Sequence, residues 1–296
     1  MRSIRGKNGR RLEIQNIGYL FIAPNFLIYL IFVFIPVFYT IGLSFTDYNL
    51  RVANFIGISN YINLFRDDVF ILALKNTLYY TIMFLPAIMV LGLALAILIN
   101  KWFFGRTVFR AIFYLPQIVS LVASSLAWMY LYGTNGIFNL FLSDLGISPV
   151  GWLTDSKMAM PSIVIMSLWQ GGGYSMLLFL SGLQGIPIHL YEAATIDGAN
   201  RRQTFFNITI PQLAPTTFFV FVMTCIQSFQ IFGQVYMMTG GGPNNTTTTL
   251  AHQVYTNGFQ YYKMGYGSSM AFILLLIILF VTLVNFKFGN VEGDES

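Results

Sequence analysis

One cysteine, Cys225, stands in a chain of 296 residues, so an internal disulfide, a cysteine-based zinc site and an iron–sulfur cluster are excluded. Charge is nearly as scarce. Asp, Glu, Lys and Arg together make 9% of the chain, against roughly 25% in an average soluble protein. With 56% hydrophobic residues beside that deficit, a water-soluble domain is excluded. The only two histidines, His189 and His252, lie far apart and assemble no metal-ligand set. No G-x-x-x-x-G-K-[ST] phosphate loop occurs, and Gly171-Gly172-Gly173 is followed by Tyr174 and Ser175 with no lysine to reach a phosphate. The chain therefore does not hydrolyse ATP by itself, and no nucleophile–base pair supports a membrane enzyme.

What is present is long apolar sequence. Six runs, at about 19–45, 77–99, 109–132, 159–181, 213–238 and 268–286, are each long enough to cross a bilayer, which takes about 20 residues. The expectation is an all-α integral membrane protein with a six-helix domain over 19–288, a basic N-terminal segment at 1–18 and a tail at 289–296. No Asp, Glu or Lys falls within a run, and the single Arg, Arg110, is the second residue of the third. A secondary transporter usually needs an intramembrane acid to bind or relay its coupling ion; a stand-alone transporter or channel is thus the weaker alternative, and energy for uphill transport has to come from a partner. Pro36 and Pro86 predict kinks in the first two helices.

The net charge of +5 is not a nucleic-acid footprint, because five basic residues (Arg2, Arg5, Lys7, Arg10, Arg11) crowd the first eleven positions ahead of an apolar run. At 27 residues, and without a small-x-small cleavage site, that run reads as a retained helix rather than a signal peptide. Placing this start in the cytoplasm puts eleven Lys+Arg on the inside and five outside, the asymmetry expected if both termini face the cytoplasm. The outer connections hold most of the turn formers, including Gly240-Gly241-Gly242-Pro243.

The inner connection at 187–211 is the most informative stretch. Pro187 can open a short helix, on which Leu190, Ala193, Ala194 and Asp197 recur at i, i+3, i+4 and i+7, and Gly198 permits a sharp turn after it. A second short helix over 200–206 carries Arg201 and Arg202. Spacing alone leaves two readings open, a docking surface for another protein and an amphipathic connector lying on the bilayer.

The run Glu192-Ala193-Ala194-x-x-Asp197-Gly198-Ala199, followed by Phe205, Ile208, Ile210 and Pro211, resembles the EAA signature of permease subunits of bacterial ABC importers. Similarity continues through Tyr19-Leu20-Phe21-Ile22-Ala23-Pro24, Ser44-Phe45-Thr46, Asn76-Thr77 and Thr239-Gly240-Gly241-Gly242-Pro243, the last resembling the carbohydrate branch of maltose- and oligosaccharide-type permeases. The resemblance implies a type I importer permease fold in the cell membrane. It also implies a second homologous permease, two cytoplasmic ATPase subunits that use the ATP and Mg, and an extracellular solute-binding protein. No cofactor is implied for this chain. Carried over by motif position, Glu192, Ala193, Ala194, Asp197 and Gly198 form the coupling helix that seats in the ATPase subunit; for Asp197, a helix C-cap is the alternative.

A carbohydrate substrate needs a few uncharged hydrogen-bonding groups in an apolar, partly aromatic pocket. On the fourth span Ser167, Gln170, Gly171 and Tyr174 recur at i, i+3, i+4 and i+7, with Trp169 adjacent; on the fifth Gln227, Gln230, Ile231 and Gln234 do likewise, with Ser228 beside them. Either these stripes line a sugar pathway or they hydrogen-bond across packed helices. Within the same superfamily, a glycerol-phosphate-type permease is the competing substrate reading.

Overall fold

The computed structural model describes residues 21–101 and 104–288. The basic segment at 1–18 and the tail at 289–296 lie outside the described residues. Within them, regular structure is helical apart from one isolated bridge, Thr46 to Phe55.

Helix α1, Phe21–Leu43, contains a π turn at Leu30–Phe34, directly ahead of Pro36. Proline has no N–H to donate, so the irregularity expected there takes the form of a widened turn. After α1 the chain is held by side-chain amides: Asn60 Nδ2, on the short α2 (Ser59–Leu64), donates to Ser44 O at 2.9 Å and Thr46 O at 2.8 Å. Helix α3, Asp68–Asn100, starts where Asp67 Oδ1 accepts from Val69 N at 2.9 Å, an N-cap that satisfies an orphan donor. Its buried residues, among them Phe70, Ala73, Thr77, Tyr80, Phe84, Ile88, Gly92 and Ala96, repeat every three or four positions. The helix runs unbroken through Pro86 for 33 residues.

The third apolar run is not one straight helix. Arg106–Ile118 (α4) and Leu121–Leu131 (α5) meet at 96°, because Val119 and Ser120 are extended (ψ 138° and 133°) just after Pro116 has weakened the last turn of α4. Short α6 (Ile137–Asp144) follows, then α7, Ala159–Gly185, which packs along α3 and α4. Glycines make that approach possible. A Cβ on Gly92 would collide with Ser175, and one on Gly173 with the backbone of Phe113; without a hydrophobic drive between helices in lipid, such close contact supplies the cohesion.

Beyond α7 lie α8 (Ile188–Ile196) and α9 (Arg201–Gln212), the latter meeting α10 (Ala214–Phe229) at 61°. Asn200 and Gln203 cap α9 reciprocally. The fifth apolar run also departs from the single helix expected over 213–238: α10 stops at Phe229 and a separate α11, Gly233–Met238, begins after an irregular break. Helix α12 (Leu250–Tyr255) continues into a π turn, and α13, Met264–Phe288, completes the chain. Among the described residues, four helices are by length and composition able to cross a membrane, and up to six spans result if each bent pair is one span. The connections after α1 and between α11 and α13 are tied together at one end of the helices, with Asn76 Nδ2 donating to Asn245 O and Thr248 O, both at 2.9 Å, and Gly265 N to Tyr48 O at 3.0 Å. Helices α1 and α13 keep wide apolar faces exposed, as surfaces meant for lipid or another helix do.

Candidate functional site

Two features stand out, an amide-lined cavity amid the helices and a short helix at the end where α3 and α7 finish. The cavity, of about 290 Å³, is walled by six helices and the break after α10. Ser167, Gln170 and Gly171 come from α7, Gln227 from α10, Gln230 and Ile231 from the break after it, and Gln234 from α11. With Gln117 of α4, five glutamines thus face one space, and Gln234 Nε2 reaches toward Gln170 Oε1 at 3.5 Å, a loose contact that leaves most of their hydrogen-bonding capacity free. Uncharged donors and acceptors in apolar walls suit a neutral polyol.

Of the ten residues singled out in the sequence for this pathway, seven line the cavity: Ser167, Gln170, Gly171, Gln227, Gln230, Ile231 and Gln234. Tyr174 lines a narrower hollow of about 30 Å³ that shares Phe84, Gln117, Gly171 and Gln227 with the main cavity. Ser228 does not join them; it is buried, and its hydroxyl donates to Cys225 O at 2.8 Å, the back-bond of a serine inside a helix. Trp169 turns away as well, its ring 5.6 Å from Trp128. The sequence reading missed Tyr80 and Phe84 of α3, a stacked pair with centroids 5.3 Å apart, and Gln117 of α4. Gln117 had a signal, an amide inside an apolar run beside Pro116. The two aromatics had none, standing among 29 Phe and 17 Tyr.

The gathering of glutamines does not follow from the spacing that suggested it. Because α10 ends at Phe229, Gln230 sits in its C-cap and Gln234 belongs to another helix. The break brings them to one wall where a continuous helix was expected to.

At the other end, Pro187 occupies the N-cap of α8 and Gly198 adopts φ +71°, a left-handed turn in which Ala199 N donates to Ala194 O at 2.9 Å. Asp197 is the C-cap residue. The helix is held from behind: Leu190 and Tyr191 pack against the core of Ile99, Leu183 and Leu213, and Tyr191 Oη lies 3.2 Å from Thr209 Oγ1 on α9. That contact decides which face is free. The stripe expected to share one surface is split, since Ala194 is buried with Leu190 behind it while Ala193 and Asp197 are exposed. The open face is instead Ile188, Glu192, Thr195 and Ile196, at i, i+4, i+7 and i+8, with Ile188 70% and Ile196 86% exposed. An acid between two bare isoleucines is the profile of a docking surface.

Other groups have structural uses. His252, on α12, is desolvated, which holds its pKa below the ordinary 6.5, and its Nδ1 lies 3.0 Å from Thr248 Oγ1. Asp47, in the connection after α1, accepts hydrogen bonds from Asn54 that keep its carboxyl below the ordinary 3.8. Among the described residues no three His, Cys, Asp or Glu side chains converge as metal ligands.

Comparison with known proteins agrees with this architecture. The chain is 36% identical over 289 residues to the probable ABC transporter permease protein YurN of Bacillus subtilis, covering 94% of this chain and 98% of that one. It is 34% identical to the arabinooligosaccharides transport system permease protein AraP of the same organism, over 93% of this chain and 90% of that one. To the trehalose/maltose transport system permease protein MalF of Thermococcus litoralis it is also 34% identical, over 94% and 95%. A chain of a bacterial alginate ABC transporter, solved in complex with an alginate pentasaccharide-bound periplasmic protein, superposes with a TM-score of 0.80 at 25% identity, covering 93% of this chain and 94% of that one. Residues 76–292 match the family model of the binding-protein-dependent transport system inner membrane component. From α3 onward, over most of its length, this multi-pass membrane chain therefore belongs to that family, the permease subunits of ABC importers.

Proposed function

We propose that this chain is the membrane-spanning permease of an ATP-driven importer, and that it carries a sugar or oligosaccharide handed over by an extracellular solute-binding protein. The observation that carries the substrate reading is the cavity in which Gln170, Gln227, Gln230 and Gln234 meet beside the stacked Tyr80 and Phe84. Amides pair with hydroxyls as both donors and acceptors, and aromatic faces accept the C–H faces of a sugar ring. Relatives named for arabinooligosaccharide and trehalose/maltose transport support the same class.

The chain itself is no ATPase. Its coupling face, Ile188, Glu192, Thr195 and Ile196 with Ala193 beside it, docks a cytoplasmic ATPase subunit that uses ATP and Mg; a second homologous permease completes the pathway and brings a second ATPase subunit. Both termini face the cytoplasm, and the Gly240–Pro243 turn faces outward.

The test is reconstitution of the chain with the second permease, the ATPase and the binding protein encoded beside it. ATP hydrolysis that rises on addition of sugar-loaded binding protein, together with uptake of labelled sugar into vesicles, is the expected result. ATPase activity indifferent to every neutral sugar tested, but stimulated by a phosphorylated polyol, would replace this reading with a glycerol-phosphate-type permease.

A further inference from the structure

The α5 and α11 helices that wall the glutamine cavity also carry a second hollow, two turns farther toward the outer connections. Along α5, Leu121, Ser125, Met129 and Tyr132 follow at i, i+4, i+8 and i+11 on one face. Leu121 lines the inner cavity, whereas Met129 and Tyr132 line a separate one of about 500 Å³. Helix α11 is shared in the same way, with Gly233 and Gln234 at the inner cavity and Met238 at the outer. The two spaces are stacked along one seam.

The layer between them is tight and imperfectly satisfied. Leu121 lies so close over Gly233 that a Cβ there would collide. Ser125, one turn outward, is fully buried and its hydroxyl has no hydrogen-bond partner. A buried hydroxyl left unpaired disfavours the closed layer relative to one in which it meets water or a ligand.

The outer hollow has the walls of a sugar site. Trp152 stacks on Tyr132 with centroids 5.4 Å apart and planes at 27°. Both rings are fixed by their polar ends: the Trp152 indole N–H donates to Asn139 Oδ1 at 3.1 Å and the Tyr132 hydroxyl to Ser162 O at 2.9 Å. A rigid aromatic plate is thereby presented to the cavity. Around it the side chains of Thr134 and Thr154 are exposed at the rim, two hydroxyls able to meet those of a carbohydrate. No Asp, Glu, His, Lys or Arg lines the space among the described residues.

We propose that this hollow is a second sugar subsite in series with the glutamine cavity, and that the chain therefore serves an oligosaccharide rather than a single sugar. A ring stacks on Trp152 with its hydroxyls on Thr134 and Thr154, and the seam at Leu121 and Ser125 opens for passage inward. The inference rests on the sugar-import reading above and adds to it the length of the substrate.

The experiment measures uptake by the reconstituted complex across gluco-, arabino-, xylo-, galacto- and manno-oligosaccharide series of one to five units, normalised to assembled complex. Trp152→Ala should weaken apparent affinity for the longer members by about 2- to 12-fold, the worth of one aromatic stacking contact, with the loss growing as the chain lengthens. Thr154→Trp, at an exposed rim position that leaves the Trp152–Asn139 contact alone, should do the same by filling the hollow, and it separates a lost subsite from a lost fold. Uptake of sugars by the wild-type complex with a loss independent of chain length in both variants, or no loss in either, overturns the subsite and leaves the import reading standing. Failure of the wild-type complex to carry any member of any series overturns the import reading, and the subsite with it.

Discussion

At the scale of single residues, the cavity glutamines and their neighbour Ser228 make opposite forecasts. Gln170, Gln227 and Gln230 keep free amide groups toward the cavity, so replacing one by Ala removes a hydrogen bond to a neutral hydroxyl, worth about 0.5–1.5 kcal/mol. Transport measured over a range of substrate concentrations, per assembled complex, should show apparent affinity lowered about 2- to 12-fold. Ser228→Ala should leave affinity unchanged, because its hydroxyl is spent on Cys225 O. His252 makes a forecast of another kind. Gln253 Nε2 donates to Thr248 Oγ1 at 2.8 Å, leaving the Thr248 hydroxyl proton for Nδ1 and a neutral imidazole in the fold. Its folded pKa lies below the ordinary 6.5 through desolvation, so the unfolded chain binds the proton more readily. That contribution to stability is complete above pH 6.5 and is lost as pH falls toward the folded value. Thermal unfolding of the solubilised protein should show a stability that drops between pH 7 and pH 5, with a flatter dependence in His252→Gln; equal slopes would refute it.

At the scale of elements, α8 shows how a motif and a surface differ. Its boundaries were legible: Pro187 at the start, Gly198 in the left-handed conformation at the end. Its orientation was not, because a nine-residue helix can roll, and the packing of Leu190 and Tyr191 on the core decides which side stays open. Glu192→Lys reverses the one charge on the open face. Gly198→Pro forbids φ +71° outright, since proline is held near −65°. Each variant should insert and be recovered at normal abundance, yet lose binding-protein-stimulated ATP hydrolysis or shed its ATPase subunits on purification. Full coupled transport by both would remove α8 from the ATPase interface. The broken α4–α5 and α10–α11 pairs teach the same lesson in the membrane. Pro116 hinted at the first break, whereas nothing in the run from Phe229 to Gly233 forbade a helix; close packing of α11 against α5 made the break worthwhile.

At the scale of the whole molecule, the connections sort to two ends. Asn76 gathers Asn245 and Thr248, and Tyr48 meets Gly265, at one end; α8 sits at the other, beside Ile99 and Leu183. The proposed orientation puts the α8 end in the cytoplasm, on the expectation that basic residues, eleven against five, resist translocation. Single cysteines at Asn8 and Asn245, in a Cys225→Ser background, distinguish the two orientations: an impermeant thiol reagent on whole cells should label position 245 and spare position 8. The reverse pattern would invert the topology.

The sequence by itself determined that this is a helical membrane protein, where its apolar runs fall, and that a run matching the EAA signature lies at 192–199, because a bilayer demands uninterrupted apolar length and because the EAA pattern is long and specific. It also supplied most of the cavity wall, since amides in an apolar run are few and have little else to do. Tertiary structure alone decided which side of α8 is free, that Ser228 faces its own helix, and that Tyr80, Phe84 and Gln117 complete the cavity. The physical reason is that helical spacing specifies neighbours only along one straight helix. Where the chain bends by 96° at Val119–Ser120 or breaks after Phe229, the residues that share a wall are chosen by packing between helices, which no local period records.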